Sequence, residues 1–338
     1  MTRQNIIIRF FAFLMAVFLL LQALGWISIK LMQNTNPVLN YYSKKIYNEP
    51  ENTIDVISIG SSDVYSSISP LEWWKDYGYT GFSWGEASQR PAENYVYLKK
   101  IYEKQKPKVV FLETATFFRD QSDIDNINTT IKAYLEQIFP VFAYHRFLWG
   151  PNPVRIFNSP PKKSVSKGYF VRPEVEKAQD SQKVLKKGKK IKMNKISKYW
   201  VDKTIELCEK NGSKVVLLKC PSSDWSKKKY ESIKKYADKK GIEFLDLNYE
   251  LSGYIDWDND TCDGGIHMNY FGASKVTSYL GDYLSENCKL KDHRKDKKIK
   301  KSWNHNYKVY KKELERAGLK RADSFSAANP LLQKPFMN

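Results

Sequence analysis

Short apolar runs rich in β-branched residues alternate with longer segments of helical periodicity, and this alternation leaves few folds open to the chain. The runs are nearly continuous, which is typical of strands buried on both faces of a parallel sheet. They occur at Ile54–Ile59, Lys108–Glu113, Lys214–Lys219 and Ile242–Leu245, with a shorter candidate at Gly81–Ser83. The helical segments are Ala92–Gln105, Lys195–Lys210, Lys227–Lys240 and Gly272–Glu286. This order predicts an α/β fold, a three-layer α/β/α sandwich with a parallel sheet.

A long apolar run lies ahead of the first predicted strand. From Phe10 to Ile27 the one polar side chain is Gln22, and as a helix the run spans about 27 Å, close to the thickness of bilayer hydrocarbon. Two arginines precede it, which favours the N-terminus inside and the rest of the chain outside. We expect residues 1–32 to form an uncleaved, single-pass membrane anchor. A cleaved signal peptide with its exit at residues 23–25 is the alternative.

The charge balance favours an anionic partner. The 338 residues include 56 Lys and Arg against 37 Asp and Glu, a net charge of +19. Such an excess suits nucleic acid, phospholipid headgroups or an anionic envelope polymer. Because either form of the N-terminal segment sends the bulk of the chain out of the cytoplasm, nucleic acid is not the expected partner.

The sequence offers little support for a metal or an organic cofactor. Its 4 cysteines include no Cys-x-x-Cys pair, so a structural zinc site is not expected. Phosphate-loop, dinucleotide-binding, zinc-protease and EF-hand patterns are absent. We therefore predict that the protein works without a metal or cofactor.

The predicted organisation has four parts. Residues 1–32 form the anchor, 33–52 a polar linker, 53–289 the α/β domain, and 290–338 a basic tail with a short helix at Trp303–Leu314. Residues 117–194 interrupt the alternation of predicted strands and helices, and they contain an aromatic patch and a lysine-rich run. An insertion of this length is usually a lid or a partner surface.

The positions of the histidines narrow the candidates for a general base. Two of the 4 lie in the basic tail. His145 lies in the aromatic patch, where a packed structural role fits better. His267 lies in a glycine-rich turn that opens a helix after the last predicted strand. Asp263, four residues earlier, is close enough in a turn to orient the imidazole, and Asp260 is the alternative carboxylate.

A serine follows the first predicted strand, in Gly60-Ser61-Ser62-Asp63. Taken alone, this motif fits a turn or a helix N-cap. Because carboxyl ends of parallel strands meet at one edge of a sheet, the serine and His267 are expected to lie close together. The combination predicts a Ser-His-Asp site. Cys220 and Cys262 fall near its mouth, and the sequence leaves their pairing open.

Over about residues 54–286 the chain resembles the SGNH (GDSL-type) hydrolase superfamily. Gly60-Ser61-Ser62 is similar to block I, and Ser83–Gln89 resembles block II. Asp263–His267 resembles block V with one extra residue. Thr114–Phe117 stands in the place of block III and lacks its usual asparagine, an oxyanion donor.

The resemblance implies roles for individual residues as well as a flavodoxin-like sheet. Ser62 would be the nucleophile, His267 the base and Asp263 its partner. The backbone N–H groups of Ser62, Gly85 and Ser88 would form the oxyanion hole.

The Gly-Ser-Ser motif, the altered block III and the N-terminal anchor are similar to the teichoic-acid D-alanyl-transfer (DltD-like) branch. So are His267–Ala273 and Lys219–Ser226. This resemblance implies a bacterial cell-envelope location, an integral-membrane O-acyltransferase as partner, and an anionic or glycan polymer as substrate. The prediction is a membrane-anchored, extracytoplasmic serine esterase or O-acyltransferase. The alternatives are a catalytically weak accessory protein of such a partner, or an anionic-polymer-binding module.

Overall fold

The computed structural model describes residues 3–35, 44–119, 122–144, 148, 166–179, 186 and 191–319. The strands are β1 (Val56–Gly60), β2 (Gly81–Gly85), β3 (Val109–Glu113), β4 (Lys214–Lys219) and β5 (Glu243–Asp246). The helices of the first half are α1 (Arg3–Thr35), α2 (Ser62–Ser67), α3 (Pro70–Tyr77), α4 (Pro91–Ile101), α5 (Asp123–Ile138) and α6 (Val141–Tyr144). Those of the second half are α7 (Lys195–Lys210), α8 (Lys227–Lys240), α9 (Leu247–Glu250), α10 (Tyr270–Asn287) and α11 (Lys297–Arg316).

The five strands form one parallel sheet in the order β2-β1-β3-β4-β5. Every residue of β1, β2 and β3 is buried. Burial on both faces explains why the sequences of these strands are nearly continuous apolar runs. The predicted α/β architecture with a parallel sheet is confirmed. The strand order reverses direction beside β1, and open α/β folds place their sites at the carboxyl ends of strands at such a point.

The helices cover both faces of the sheet. Right-handed crossovers place α4, α7 and α8 on one face and the helices after β1, together with α10, on the other. The packing agrees, since α4 packs on α7, while α10 packs on α2 and α3. Two of these helices, α2 and α3, were not expected from the sequence. They are too short to show a helical period, and α3 ends at Gly78, whose φ of 73° is left-handed.

The C-terminal helix is longer than the predicted Trp303–Leu314. It begins at Lys297 because the Asp296 side chain accepts hydrogen bonds from two backbone N–H groups of the first turn. Trp303 is buried beside Trp74, with ring centroids 5.5 Å apart. Helix α11 is therefore part of the α/β body rather than a loose tail. Residues 320–338 lie outside the described residues.

The chain divides into two compact units. Residues 39–120 and 164–338 form the α/β unit, and residues 1–38 and 121–163 form the other. In the second unit α1 contains an apolar span, Arg3–Leu31, of 29 residues with a hydropathy of 2.4. That span is long and apolar enough to cross a membrane, although a signal sequence near an N-terminus has the same properties.

Candidate active site

Ser62 is the first residue of α2, directly after the carboxyl end of β1. The chain turns there from strand to helix within one residue, Ser61, whose backbone is extended. The turn requires a glycine before it, because a Cβ on Gly60 would lie 2.3 Å from Glu113 Cβ. The local sequence thus holds Ser62 at the edge of the sheet where the strands end.

His267 and Asp263 lie in a tight loop that precedes α10. Thr261 and Met268 form an isolated antiparallel bridge across the loop. Gly264 and Gly265 within it have φ values of 76° and 101°, which residues with a side chain rarely adopt. These glycines let the loop close with one residue more than the usual spacing between the aspartate and the histidine.

The structure brings the three predicted residues together. Ser62 Oγ lies 2.7 Å from His267 Nε2. The opposite ring nitrogen, Nδ1, contacts Asp263 Oδ2, and Asp263 Oδ1 accepts a hydrogen bond of 2.8 Å from the His267 backbone N–H. The alternative carboxylate, Asp260, is instead bonded to Lys275 Nζ at 2.7 Å. Asp263 is therefore the aspartate that orients the imidazole.

The charge of Asp263 suits this position. Burial raises its pKa, but hydrogen bonds from the ring and backbone of His267 outweigh burial and hold the pKa below the ordinary value. An ionised Asp263 accepts the Nδ1 hydrogen of the imidazole, so Nε2 is free to accept the proton of Ser62. This is the arrangement of a serine nucleophile, a general base and an orienting carboxylate.

A buried charge cluster lies next to the triad, and no motif of the sequence predicts a role for it. It consists of Asp63, Glu113 and Lys219, which are 7%, 0% and 0% exposed. Lys219 Nζ contacts Asp63 Oδ2, and Asp63 Oδ1 lies 3.9 Å from His267 Nε2. A signal was present in the sequence, since Glu113 and Lys219 are charged residues that directly follow the apolar interiors of their strands.

The cluster also fixes the backbone around the site. Glu113 accepts hydrogen bonds from the Ala115 N–H at 2.6 Å and from Ser61 Oγ at 3.2 Å. Burial, followed by the charge of Asp63, raises the pKa of Glu113 to about 7. Burial lowers the pKa of Lys219, but the two carboxylates outweigh burial and raise it overall. Lys219 therefore remains an ammonium group in the protein interior.

Tyr65 and Arg172 extend the site on the other side of Ser62. The Tyr65 hydroxyl lies next to the side chains of both Ser62 and Arg172. Burial raises the pKa of Tyr65, so it remains a neutral phenol that can donate a hydrogen bond. Since arginine only donates, the phenol can direct its own hydrogen to Ser62 and leave the serine hydrogen to His267.

An extended segment, residues 170–179, holds Arg172 in place. Its backbone is hydrogen-bonded to helix α2, from Phe170 N to Tyr65 O at 2.8 Å. It also contacts the histidine loop, from Gln179 N to Gly264 O at 3.1 Å. The segment lies within the predicted insertion, where no strand or helix pattern indicated that it would reach the site.

The residues predicted for the oxyanion hole differ in their exposure and in the elements that hold them. Gly85 ends β2 beside the turn that precedes Ser62, and a Cβ there would lie 2.6 Å from Ser61 O. Ser88 lies in the following exposed turn with a φ of 61°. In place of block III, Ala115–Phe118 form a short 3-10 helix after β3. The oxyanion roles of Ser62, Gly85 and Ser88 stay predictions.

The remaining candidates do not join the triad. Cys220 and Cys262 are not paired, since all four cysteines are free. Cys220 is fully buried after β4, while Cys262 Sγ lies 3.6 Å from Arg172 Nη1. His145 lies outside the described residues. Within the described ranges, no group of three or more His, Cys, Asp and Glu is arranged to hold a metal ion.

No protein-family model and no curated protein matches the chain. Similar solved structures include a protein from Bacteroides fragilis provisionally designated an acylhydrolase, at 13% identity over 75% of this chain and 97% of that one, with a TM-score of 0.38. Another, from Desulfitobacterium hafniense DCB-2, is provisionally designated a lipolytic protein of the G-D-S-L family, at 16% identity, 69% and 100% coverage and a TM-score of 0.35.

A third similar structure is that of a protein from Streptococcus pneumoniae provisionally designated a platelet activating factor. The identity is 14%, with 80% of this chain and 98% of that chain covered and a TM-score of 0.38. All three likenesses are distant. They carry no information about the reaction that this chain performs.

Proposed function

We propose that the protein is a serine esterase or O-acyltransferase of the SGNH (GDSL) type. The observation that supports the proposal is the pair of hydrogen bonds that connects Ser62 Oγ through the His267 ring to Asp263. A serine within 2.7 Å of an imidazole that is itself oriented by a carboxylate is the arrangement that activates a hydroxyl for acyl transfer.

In the first half of the reaction, Ser62 Oγ attacks the acyl carbonyl carbon and His267 Nε2 takes the hydroxyl proton. The resulting imidazolium is stabilised by Asp263 and then gives its proton to the departing alcohol, which leaves an acyl ester on Ser62. In the second half, water or a second alcohol loses its proton to His267 and attacks that ester. Ser62 recovers its proton, and the acyl group is released or transferred.

The negative oxygen of each tetrahedral intermediate needs hydrogen-bond donors. We assign these to the backbone N–H groups of Ser62, Gly85 and Ser88. The Tyr65 hydroxyl, which lies next to Ser62, is assigned the role of orienting the nucleophile by a hydrogen bond. Block III contains no asparagine, so the donor set of this protein is expected to be weaker than the full set of the superfamily.

The proposed setting is the outer face of a bacterial membrane, with α1 as a single-pass anchor. The apolar span of 29 residues supports the anchor, and the net charge of +19 supports an anionic or glycan envelope polymer as substrate. The resemblance to the DltD-like branch supports an integral-membrane O-acyltransferase as the partner.

A second candidate is an accessory protein with little activity of its own, docked on such a partner. The absence of the block III asparagine at Thr114–Phe117 favours this candidate. Both candidates place the protein beside the same acyltransferase. They differ in whether Ser62 is reactive in the isolated chain.

Covalent capture of the serine tests the proposal. A fluorophosphonate should add to Ser62 of the full chain in detergent, with the adduct mapped by mass spectrometry. The reagent reacts only with a serine whose proton is accepted by a neighbouring base. Folded protein without an adduct on Ser62 would favour the accessory candidate, and an adduct on another serine would refute the assigned nucleophile.

Tyr65→Phe should lower kcat for ester hydrolysis about 10-fold and leave KM nearly unchanged, because one hydrogen bond to the nucleophile is lost. Steady-state kinetics with a small aryl ester measures the effect. The matched control is Tyr102→Phe, which removes a half-buried phenol bonded to Ser213 Oγ at 2.7 Å, a contact that is not part of the site. Equal effects of the two substitutions would show that Tyr65 has only a structural role.

A further inference from the structure

Helix α5 presents an apolar stripe to its surroundings. Its isoleucines and its tyrosine recur at intervals of three and four residues, which places them on one face of the helix. Their exposed fractions are high: Ile124 70%, Ile127 56%, Ile131 52%, Tyr134 38% and Ile138 54%. A helix in water would bury such a face.

The opposite face of the same helix is buried although it is mostly polar. Asn126, Thr129 and Glu136 are 3%, 8% and 6% exposed. Part of their hydrogen bonding is local, since Asn126 Nδ2 donates to Ser122 O at 3.2 Å. The helix is thus inverted relative to a helix on the surface of a soluble protein, with its isoleucines outward and its polar side chains inward. Such a pattern indicates an apolar environment outside the isoleucine stripe.

The position of the helix beside α1 identifies that environment. The carboxyl end of α5 belongs to the same compact unit as α1, and Gln22 Nε2 donates to Ile138 O at 2.9 Å. The rings of Phe18 and Phe139 are 5.5 Å apart. A Cβ on Gly25 would lie 3.1 Å from Val141 N, so the backbones approach closely.

These contacts begin near the middle of the apolar span of α1, at Phe18, and reach Gly25 towards its C-terminal end. Gly25 precedes Leu31, the last residue of the span, by about 9 Å of helix. The end of α5 therefore lies beside the C-terminal half of a spanning α1, the half that leads to the membrane–water interface after Leu31. The long apolar side chains of α1 from Ile6 to Leu20 are themselves exposed, so both helices of this unit present apolar side chains outward.

We propose that α5 lies along the membrane interface with its isoleucine stripe in the acyl chains of the lipid. This inference rests on α1 being a membrane anchor, as proposed above. An amphipathic helix of this kind buries its apolar face at the boundary between headgroups and acyl chains. Tyr134 belongs to the stripe and suits that boundary, because its ring is apolar and its hydroxyl is polar. The protein then contacts lipid through two elements rather than one.

The test uses the full chain in vesicles of phosphatidylcholine and phosphatidylglycerol, with a fluorescent probe on a single introduced cysteine. Cys262 and Cys288 are replaced by serine, while Cys208 and Cys220 are fully buried and do not react. The probe is placed by Ile131→Cys or Ile124→Cys on the stripe. Asn128→Cys, on an exposed position beside the stripe, is the matched control, and Met15→Cys in α1 reports the anchor.

Lipids with a spin label near the headgroup should quench the Ile131 and Ile124 probes by about half and the Asn128 probe much less, as expected for an interfacial helix. The Met15 probe should be quenched by labels deeper in the acyl chains. Quenching at Met15 with equal, weak quenching at Ile131, Ile124 and Asn128 would overturn the inference and leave the anchor standing. Weak quenching at the stripe is also the result expected if the stripe binds a partner protein, because the vesicles contain no such partner. No quenching at Met15 would refute the anchor, and the inference with it.

Discussion

Ser62→Ala should reduce the hydrolysis of a small aryl ester by about 10⁴-fold or more in kcat, because the acyl group can no longer be transferred to the protein. His267→Ala should have an effect of similar size, since the serine proton then has no acceptor. The two residues act as one unit, so the double variant should be hardly slower than either single variant. Steady-state kinetics of the full chain in detergent measures all three.

Ser66→Ala is the matched control for this series. Ser66 lies in the same helix as Ser62, is 0% exposed, and makes no side-chain hydrogen bond to another described residue. Its replacement should leave the hydrolysis rate close to that of the unaltered chain. Residual activity of Ser62→Ala at the level of Ser66→Ala would mean that another residue is the nucleophile.

The triad could be predicted because topology does most of the positioning. Ser62 and His267 are far apart in sequence. Ser62 follows β1 directly, and His267 lies in a loop after the last strand. The carboxyl ends of parallel strands meet at one edge of the sheet, so both residues lie at that edge. The spacing from Asp263 to His267 is one residue longer than in the block V that it resembles. The positive φ values of Gly264 and Gly265 explain why the spacing is harmless.

The contacts of Tyr65 and Arg172 could not be predicted in the same way. Arg172 lies in an extended segment without regular secondary structure, and no periodicity relates its position to the first strand. The outward orientation of the isoleucines of helix α5 could not be predicted for another reason. Its isoleucines have a helical spacing, but a sequence does not reveal whether an apolar face is turned to the core or, as here, outward.

Lys219→Met should lower the free energy of unfolding by about 3–5 kcal/mol, the usual loss when one partner of a buried ion pair is removed. The Lys219 and Asp63 side chains are 1% and 9% exposed, so water cannot replace the missing ammonium. The variant leaves two carboxylates, Asp63 and Glu113, in the interior without a positive charge beside them. Urea unfolding followed by tryptophan fluorescence measures the loss.

The control for this substitution is Lys203→Met. Lys203 forms an ion pair of 2.7 Å with Glu206, but both side chains are exposed, by 41% and 59%. Solvent screens such a pair, so its removal should leave the unfolding curve unchanged within error. Adding Asp63→Asn to Lys219→Met should recover part of the lost stability, because a neutral amide needs no ammonium partner.

The loss caused by Lys219→Met should also grow as the pH rises. Because burial raises the pKa of folded Glu113 from 4.5 to about 7, the folded protein retains a proton in this range that the unfolded chain has lost, and stability falls as the pH rises. Removing Lys219 takes away a positive charge that opposes this shift and raises the pKa of Glu113 further. The deficit of Lys219→Met should therefore be larger at pH 8 than at pH 5. A deficit that shrinks between these pH values would show that Lys219 does not compensate the buried carboxylates.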